Sequence, residues 1–234
     1  MDKAIIYTII VVAAAVAASL GTLLYLYPPH PSASPPPINS SQTTPSNATS
    51  TTVTPQNASS PIALLQSLKG AFTLNLDQLD SLISYMPQGV TINRTTNTIR
   101  FTGKTIYIVM LAGPPSNILS FQSFNLTNPT IEVPLDSTVI IAIIDAGYLN
   151  HSFGITSSAP PYPASVSPNQ YPPAFPGSEM PPTLLVNGLS PASANVFSGY
   201  LIQFNATETG TYWYLCFVPG HASSGMYGKF IVYG

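Results

Sequence analysis

Three side chains that bind soft and borderline metal ions are evenly spaced near the C-terminus. Cys216, His221 and Met226 are separated by four residues at each step. A thiolate and imidazoles in a trigonal arrangement, with a thioether as a weak and distant further ligand, form the donor set of copper sites that transfer electrons. The spacing therefore predicts a copper site in this loop, and it requires one more strong donor from elsewhere in the fold.

His151 is the candidate for that donor. The chain has three histidines, and His30 lies in a segment that is predicted to be disordered. His151 follows an apolar run, and residues 152–155 suit a loop that returns into a strand. Taken singly, a cysteine, methionine or histidine of this kind is more often a core or loop residue than a ligand. Their combination predicts one metal site formed by His151, Cys216, His221 and Met226.

The cysteine count and the charge restrict the other possibilities. Cys216 is the single cysteine, so it is either a buried apolar residue or a thiolate that binds metal or reacts, and it forms no disulfide within the chain. Lys and Arg together number six, and the formal net charge is -2. Without a basic cluster there is no surface for a phosphate backbone, so nucleic acid is not an expected partner.

The elements that must position the metal site are mainly strands. Short runs rich in β-branched and aromatic residues alternate with Gly, Pro, Asn or Asp, which is typical of a β-sandwich. The predicted strands are TIRFTG, KTIYIVML, FQSFNL, TIEVPL, STVIIAII, SGYLIQFN, GTYWYLC and YGKFIVY. One short helix is predicted in NLDQLDSLISYM, with Asn75 and Gln78 as its cap and Pro87 as its stop. Residues 157–182, rich in Pro, Tyr and Ser, are predicted to form a long surface loop.

The N-terminus predicts a membrane anchor. Residues 4–27 carry no charge, and as a helix they are long enough to cross the roughly 30 Å hydrocarbon core. Lys3 precedes this run and the next basic residue is Lys69, which places the amino end in the cytoplasm and the rest outside. The alternative is a cleaved signal peptide with its site at Ala15-Val16-Ala17, although signal peptides usually have a shorter apolar run. We therefore expect residues 1–27 to be a single-pass anchor.

A linker is predicted to join the anchor to the folded domain. Residues 28–60 are rich in Pro, Ser, Thr and Asn and cannot bury enough apolar surface to offset the entropy of ordering. Residues 61–234 are predicted to be the folded domain. Sequons for N-glycosylation begin at Asn39, Asn47, Asn57, Asn93, Asn125, Asn150 and Asn205. This pattern suits an exported surface protein.

The sequence resembles the rusticyanin and sulfocyanin group of blue copper proteins, which are cupredoxins. The segments GTYWYLCFVPGHASSGMYGKFIV, LNHSFGIT followed by PPY, and FTGKTIYIV with NPTIEVPLDSTV resemble rusticyanin segments in the same order. The resemblance covers roughly residues 61–234, whereas the anchor and linker are more similar to those of sulfocyanins. Residues 157–182 differ from the family, with additional Pro and Ser.

The resemblance implies an all-β fold, a Greek-key β-sandwich of the cupredoxin type with a short N-terminal helical extension. It implies one type 1 copper ion, with His151, Cys216 and His221 as equatorial ligands and Met226 as the axial ligand. Ser152 is implied to brace the cysteine sulfur and the ligand loops. The implied function is electron transfer in an aerobic respiratory chain, from Fe(II) oxidation or to a terminal oxidase or cytochrome, in an acidophile.

The residues around the loop add an expectation about the copper. An axial thioether and apolar neighbours such as Phe217, Val218 and Tyr227 disfavour the more highly charged Cu(II), so a high reduction potential is expected. The edge of the His221 imidazole is the expected site of electron entry and exit. The scarcity of carboxylates leaves little stability to lose in acid, which also favours an acid habitat.

Three other functions compete with this one. Copper enzymes with several metal sites need additional histidines, and none remain. A two-copper centre needs a pair of bridging cysteines. The alternative from another class is a membrane-anchored adhesion or surface glycoprotein with a β-sandwich and no metal, in which the Cys216 loop serves packing alone.

Overall fold

The computed structural model describes residues 60–234. The predicted anchor, residues 1–27, lies outside the described residues, as does the predicted linker apart from Ser60. The division of the chain at residues 27 and 60 stays a prediction. Within the described part, no helix is long and apolar enough to cross a membrane.

In the described part of the chain, three short α-helices flank or interrupt the sheets. They are α1 (Pro61–Ser67), α2 (Leu76–Ile83) and α3 (Pro182–Asn187). The predicted cap of α2 is confirmed, because Asn75 Oδ1 accepts from the Gln78 amide at 2.9 Å and Gln78 Oε1 accepts from the Asn75 amide at 3.0 Å. The helix ends at Ile83, earlier than predicted, and Met86 remains exposed.

Within residues 60–234, twelve strands form two six-stranded sheets. The strands are β1 (Ala71–Leu74), β2 (Val90–Asn93), β3 (Thr98–Phe101), β4 (Thr105–Ala112), β5 (Phe121–Ser123), β6 (Leu126–Thr127), β7 (Thr130–Pro134), β8 (Thr138–Asp145), β9 (Gly154–Thr156), β10 (Phe197–Asn205), β11 (Gly210–Leu215) and β12 (Tyr227–Tyr233). The first sheet has the order β1-β10-β8-β4-β5-β6, and the second has the order β2-β3-β7-β12-β11-β9. Pairs β4/β8, β3/β7 and β7/β12 are parallel.

The main core lies between the two sheets. It combines side chains of the first sheet, such as Ile108 and Ile141, with side chains of the second, such as Ile131, Tyr214 and Phe230. Each of these alternates with residues on the outer face, as the period of two in a strand requires. The predicted all-β sandwich of two sheets with few helices is therefore confirmed.

Two sequence predictions about the sheets need correction. The run FQSFNL is not one strand, because Phe124 and Asn125 have φ of 49° and 59° and turn the chain between β5 and β6. The predicted surface loop 157–182 is partly internal, since Tyr162, Phe175 and Met180 are buried in the core. Other residues of the segment, such as Pro161, Ser165 and Gln170, are exposed in the way that the composition suggested.

The strand order brings the two predicted ligand segments together. β8 ends at Asp145 and β9 begins at Gly154, so His151 lies in the connection between them. β9 pairs with β11, which pairs with β12, and Leu215 is in register with both Gly154 and Tyr227. Because Cys216 follows Leu215, it lies at the same end of the sandwich as the His151 connection.

Candidate metal centre

Cys216 is fully enclosed in the candidate site. Its thiol is buried, and Sγ accepts a hydrogen bond from the Ser152 amide at 3.3 Å. The Ser152 hydroxyl lies 3.7 Å from the same sulfur and accepts from the Phe217 amide at 2.9 Å. Burial raises the pKa of the Cys216 thiol, and the backbone amides of Ser152 and Val218 oppose this. The residue implied to brace the ligand loops therefore links the His151 segment to the cysteine.

His221 faces the cysteine from a tight turn. Its Nδ1 lies 3.5 Å from Cys216 Sγ, and a 3₁₀ turn at Ala222–Ser224 follows it. Only 9% of the surface of His221 is exposed to solvent. Burial, followed by the neighbouring His151, lowers the pKa of His221, so its neutral form, which binds metal, is favoured.

Met226 closes the turn. Its amide donates to the His221 carbonyl at 3.0 Å, and its carbonyl accepts from the Cys216 amide at 3.1 Å. The thioether side chain is fully buried. The backbone therefore holds all three residues of the loop in one hydrogen-bonded unit.

His151 reaches the same place from the β8–β9 connection. Its ring is fully buried, and its centroid lies 5.1 Å from that of His221. Nε2 is 2.9 Å from the carbonyl oxygen of Ile118, and Nδ1 is 3.1 Å from Oδ2 of Asp145. A carbonyl only accepts, so Nε2 carries the proton in the first contact. Nδ1 is engaged with the Asp145 carboxyl, so it must leave that contact before it can bind a metal ion.

The distances between the donor atoms show whether these residues could share a metal ion. Two donor atoms bound to one ion at about 2.0 Å and 2.3 Å lie roughly 3.5 Å apart when the angle between them is near tetrahedral. The separation of Cys216 Sγ and His221 Nδ1 is 3.5 Å, so these two atoms suit a shared ion. A thiolate, two imidazoles and a thioether are also the donor types that copper prefers for electron transfer.

His151 is the candidate ligand that must adjust. Among residues 60–234, no group of three or more His, Cys, Asp and Glu side chains is already gathered closely enough to hold an ion. Nδ1 of His151 is instead engaged with the carboxyl of Asp145. Metal binding by His151 requires Nδ1 to exchange that carboxyl for the ion, while Nε2 keeps its contact with Ile118.

Sequence reasoning missed three neighbours of His151. Asp145 is fully buried, and burial raises its pKa while the hydrogen bond to His151 lowers it. The Ile118 carbonyl orients the ring, and Gly113 leaves the space that the ring fills. An acidic residue that ends the apolar run VIIAIID was a visible signal for Asp145, whereas nothing in the sequence pointed to Ile118.

The two sheets and the Cys–His–Met turn define a cupredoxin-type blue copper protein. Residues 93–234 match the family described as the Sulfocyanin (SoxE) domain, and the chain belongs to this family. The expected cofactor, one type 1 copper ion, is thereby confirmed. Members of the family are electron carriers rather than enzymes in the usual sense, and electron transfer implies redox partners.

Individual relatives support the same assignment. A rusticyanin of Acidithiobacillus ferrooxidans is 33% identical over 152 residues, which cover 64% of this chain and 90% of that protein. A rusticyanin of Acidithiobacillus ferridurans is 35% identical over 138 residues, which cover 58% of this chain and 67% of that protein. The solved rusticyanin of Thiobacillus ferrooxidans shares 29% identity with a TM-score of 0.57, over 70% of this chain and 98% of that one.

Proposed function

We propose that this chain is a membrane-anchored, high-potential electron carrier on the outer side of the cell membrane, with His151, Cys216, His221 and Met226 as its copper ligands. The single observation that carries the ligand assignment is the distance of 3.5 Å between Cys216 Sγ and His221 Nδ1. That contact lies in a buried pocket to which the Ser152–Cys216 hydrogen bond connects the His151 segment.

Copper, when bound, supplies a one-electron change between Cu(II) and Cu(I). The chain's own contribution is to hold the donors still, because electron transfer is fastest when little rearranges. Cys216, His221 and Met226 are tied by backbone hydrogen bonds, and Ser152 joins them to the His151 segment. Burial of all four side chains also keeps water away from the site.

Some features of the site raise the reduction potential of the bound copper, and one feature lowers it. The buried Met226 thioether and the apolar surround disfavour the more charged state of the metal. The Ser152 amide hydrogen bond to Cys216 Sγ withdraws electron density from the thiolate and acts in the same direction. A carboxylate at Asp145 acts in the opposite direction, because a negative charge favours the higher oxidation state.

An acid habitat is supported by the buried carboxyl groups. Burial raises the pKa of Glu179, and one of its carboxyl oxygens is buried without a hydrogen-bond partner. A carboxyl whose pKa is higher in the folded than in the unfolded chain contributes stability that is fully present in acid and is lost as the pH rises through the folded value. The lowered pKa of His221 also keeps its nitrogen available to metal at lower pH.

The extracytoplasmic location rests on the N-terminal sequence and on the sequons. The sequon asparagines Asn93, Asn125, Asn150 and Asn205 are exposed. Asn150 donates its side-chain amide to the Asn187 carbonyl at 3.1 Å, and its sequon hydroxyl, Ser152, is buried at the metal site. Glycosylation is therefore proposed at Asn93, Asn125 and Asn205 but not at Asn150.

The proposed partners are a cytochrome or terminal oxidase as electron acceptor and Fe(II) as a possible donor. The edge of His221 that reaches the surface is the proposed contact for one of them. Stopped-flow mixing of the copper-loaded chain with Fe(II) in acid separates the two roles. Rapid bleaching of the blue colour supports a place in iron oxidation, and no reaction supports a donor to the oxidase alone.

Titration of the full chain with Cu(II) tests the ligand assignment. We expect one equivalent to produce an intense visible band from thiolate-to-copper charge transfer, and we expect Cys216→Ser to abolish it. Leu201→Val, a change on the first sheet away from the site, serves as the control and should keep the band. If the wild-type chain takes up no copper and shows no band, the surface-glycoprotein alternative replaces the proposal.

A further inference from the structure

Three tyrosine rings pack in series beside the metal loop. The ring of Tyr227 lies 5.3 Å from that of Tyr162, and the ring of Tyr162 lies 5.5 Å from that of Tyr171, both measured between centroids. Both pairs are edge-to-face with interplanar angles of 75°, an arrangement that aromatic pairs favour. Tyr162 is buried, whereas Tyr227 and Tyr171 are partly exposed. We call these three residues the tyrosine series.

The tyrosine series is joined directly to Cys216. The Cys216 amide donates to the Met226 carbonyl at 3.1 Å, and that carbonyl belongs to the peptide bond that leads into Tyr227. A continuous path therefore exists from the cysteine through one hydrogen bond to the backbone of Tyr227 and then across two ring contacts to Tyr171. No step of this path crosses an open gap.

The loop that carries two of the rings is fixed to the ligand turn. The Gly220 amide donates to the Ala164 carbonyl at 2.6 Å, one residue before His221. The Tyr162 hydroxyl donates to the Ser158 carbonyl at 2.8 Å, which fixes the central ring. Because this loop covers the ligand turn, it contributes to the low exposure of His221, at 9%.

The segment that carries Tyr162 and Tyr171 is uncharged. Residues 157–178 contain no Asp, Glu, Lys, Arg or His. A redox partner that docks here is therefore attracted by apolar contact rather than by charge, and its association should depend little on salt.

We propose that the tyrosine series is a second electron path, distinct from the His221 edge, between the metal bound at Cys216 and a one-electron redox partner that docks at Tyr171. This inference rests on the proposed ligand assignment. One electron passes between the metal and the partner's metal centre, so one gains the electron that the other loses. No bond is made or broken and no proton moves.

The electron passes across the contacts between the rings, and the rings themselves are not oxidised. Burial raises the pKa of Tyr162, and its neighbours Tyr171 and Tyr227 add to the effect. The phenol therefore keeps its proton, and the hydroxyl has a carbonyl, not a base, as its partner. Removal of the ring should slow transfer along the path, whereas removal of the hydroxyl alone should not.

A ruthenium photo-oxidant attached to a histidine at position 170 tests the path in the full copper-loaded chain. Gln170→His places this label beside Tyr171, and Ser116→His places a reference label in the exposed loop that precedes Ile118, on the His151 side. We expect Tyr162→Leu to slow electron transfer from the metal to the label at 170 several-fold and to leave the rate for the label at 116 unchanged. Tyr162→Phe, which keeps the ring, is the matched control and should leave both rates unchanged.

A second measurement uses the metal-free chain. We expect the NMR ring-proton shifts of Tyr171 and Tyr227 to change in Tyr162→Leu and to stay close to the wild-type values in Tyr162→Phe, because the neighbouring ring determines them. Unchanged shifts in Tyr162→Leu mean that the rings do not pack, which overturns the path.

The outcomes separate the path from the ligand assignment. If the variants keep the blue band and the rate for the label at position 170 is the same in Tyr162→Leu as in the wild type, the path is wrong and the ligand assignment stands. Equal slowing for both labels also overturns the path, because it indicates a change at the metal. A wild-type chain without a blue band refutes the ligand assignment and the path with it.

Discussion

Gly113→Ala is expected to displace His151 without altering any ligand. Gly113 follows β4 with φ of 64°, and its amide donates to the Ser120 carbonyl at 2.9 Å. A methyl group on its Cα would lie 2.1 Å from Cε1 of His151, 2.7 Å from Nε2 and 2.8 Å from Nδ1. These distances are far below ordinary contact between heavy atoms, which is about 3.5–4.0 Å. The imidazole must therefore move away.

The expected cost has two parts. The left-handed conformation costs an alanine about 1–2 kcal/mol. A ring shift of more than 1 Å, which about 3.5 Å of clearance requires, breaks the contacts of His151 with Ile118 and Asp145, now 2.9 Å and 3.1 Å long. Each buried polar group left without a partner costs about 1–3 kcal/mol. We expect the free energy of unfolding to fall by roughly 3–8 kcal/mol in total.

Gly70→Ala is the matched control. Gly70 has φ of 48°, and a methyl group there would meet only Tyr200, at 3.9 Å. It should lose only the conformational part, about 1–2 kcal/mol. Urea unfolding of both variants measures the two costs, and Cu(II) titration measures affinity. Loss of an oriented ligand should weaken copper binding about 10- to 100-fold or more in Gly113→Ala alone.

The reasoning is refuted if Gly113→Ala binds copper as tightly as Gly70→Ala and unfolds at the same urea concentration. That result would mean that the His151 ring has another stable position or that it does not contribute to copper binding.

Three other changes test the surroundings of the site. Ser152→Ala leaves the buried Phe217 amide without its 2.9 Å acceptor, so unfolding should become easier by about 1–3 kcal/mol, as measured by urea titration; unchanged stability contradicts the bracing role. Asp145→Asn removes a negative charge next to His151, so voltammetry should show a reduction potential higher by roughly 50–150 mV; a lower potential contradicts this. Burial raises the pKa of Glu179, so Glu179→Gln should be more stable than the wild type near neutral pH and equal to it at about pH 3; a pH-independent difference contradicts this.

Much of the site could be predicted because it is local. Cys216, His221 and Met226 share one turn, and their spacing alone indicates a soft metal site. The cap of α2 could also be predicted, because its two hydrogen bonds join Asn75 and Gln78, which are close in sequence. Features formed by residues that are close in sequence can be predicted before the fold is known.

Features that depend on distant parts of the chain were not predicted. Ile118 and Gly113 contact His151 only because the β4–β5 connection folds over the β8–β9 connection. The packing of Tyr162 on Tyr227 requires the loop to return to the outer face of the second sheet. The break in FQSFNL comes from left-handed backbone conformations at Phe124 and Asn125, which a residue such as Phe rarely adopts.

X-ray absorption at the copper edge of the fully loaded chain tests the central claim most directly. The account predicts one short sulfur ligand and two imidazole nitrogens, with one imidazole lost in His151→Ala and the sulfur lost in Cys216→Ser. A wild-type spectrum with one imidazole or none, or a spectrum unchanged by His151→Ala, would show that the middle of the chain does not reach the metal and would contradict the account.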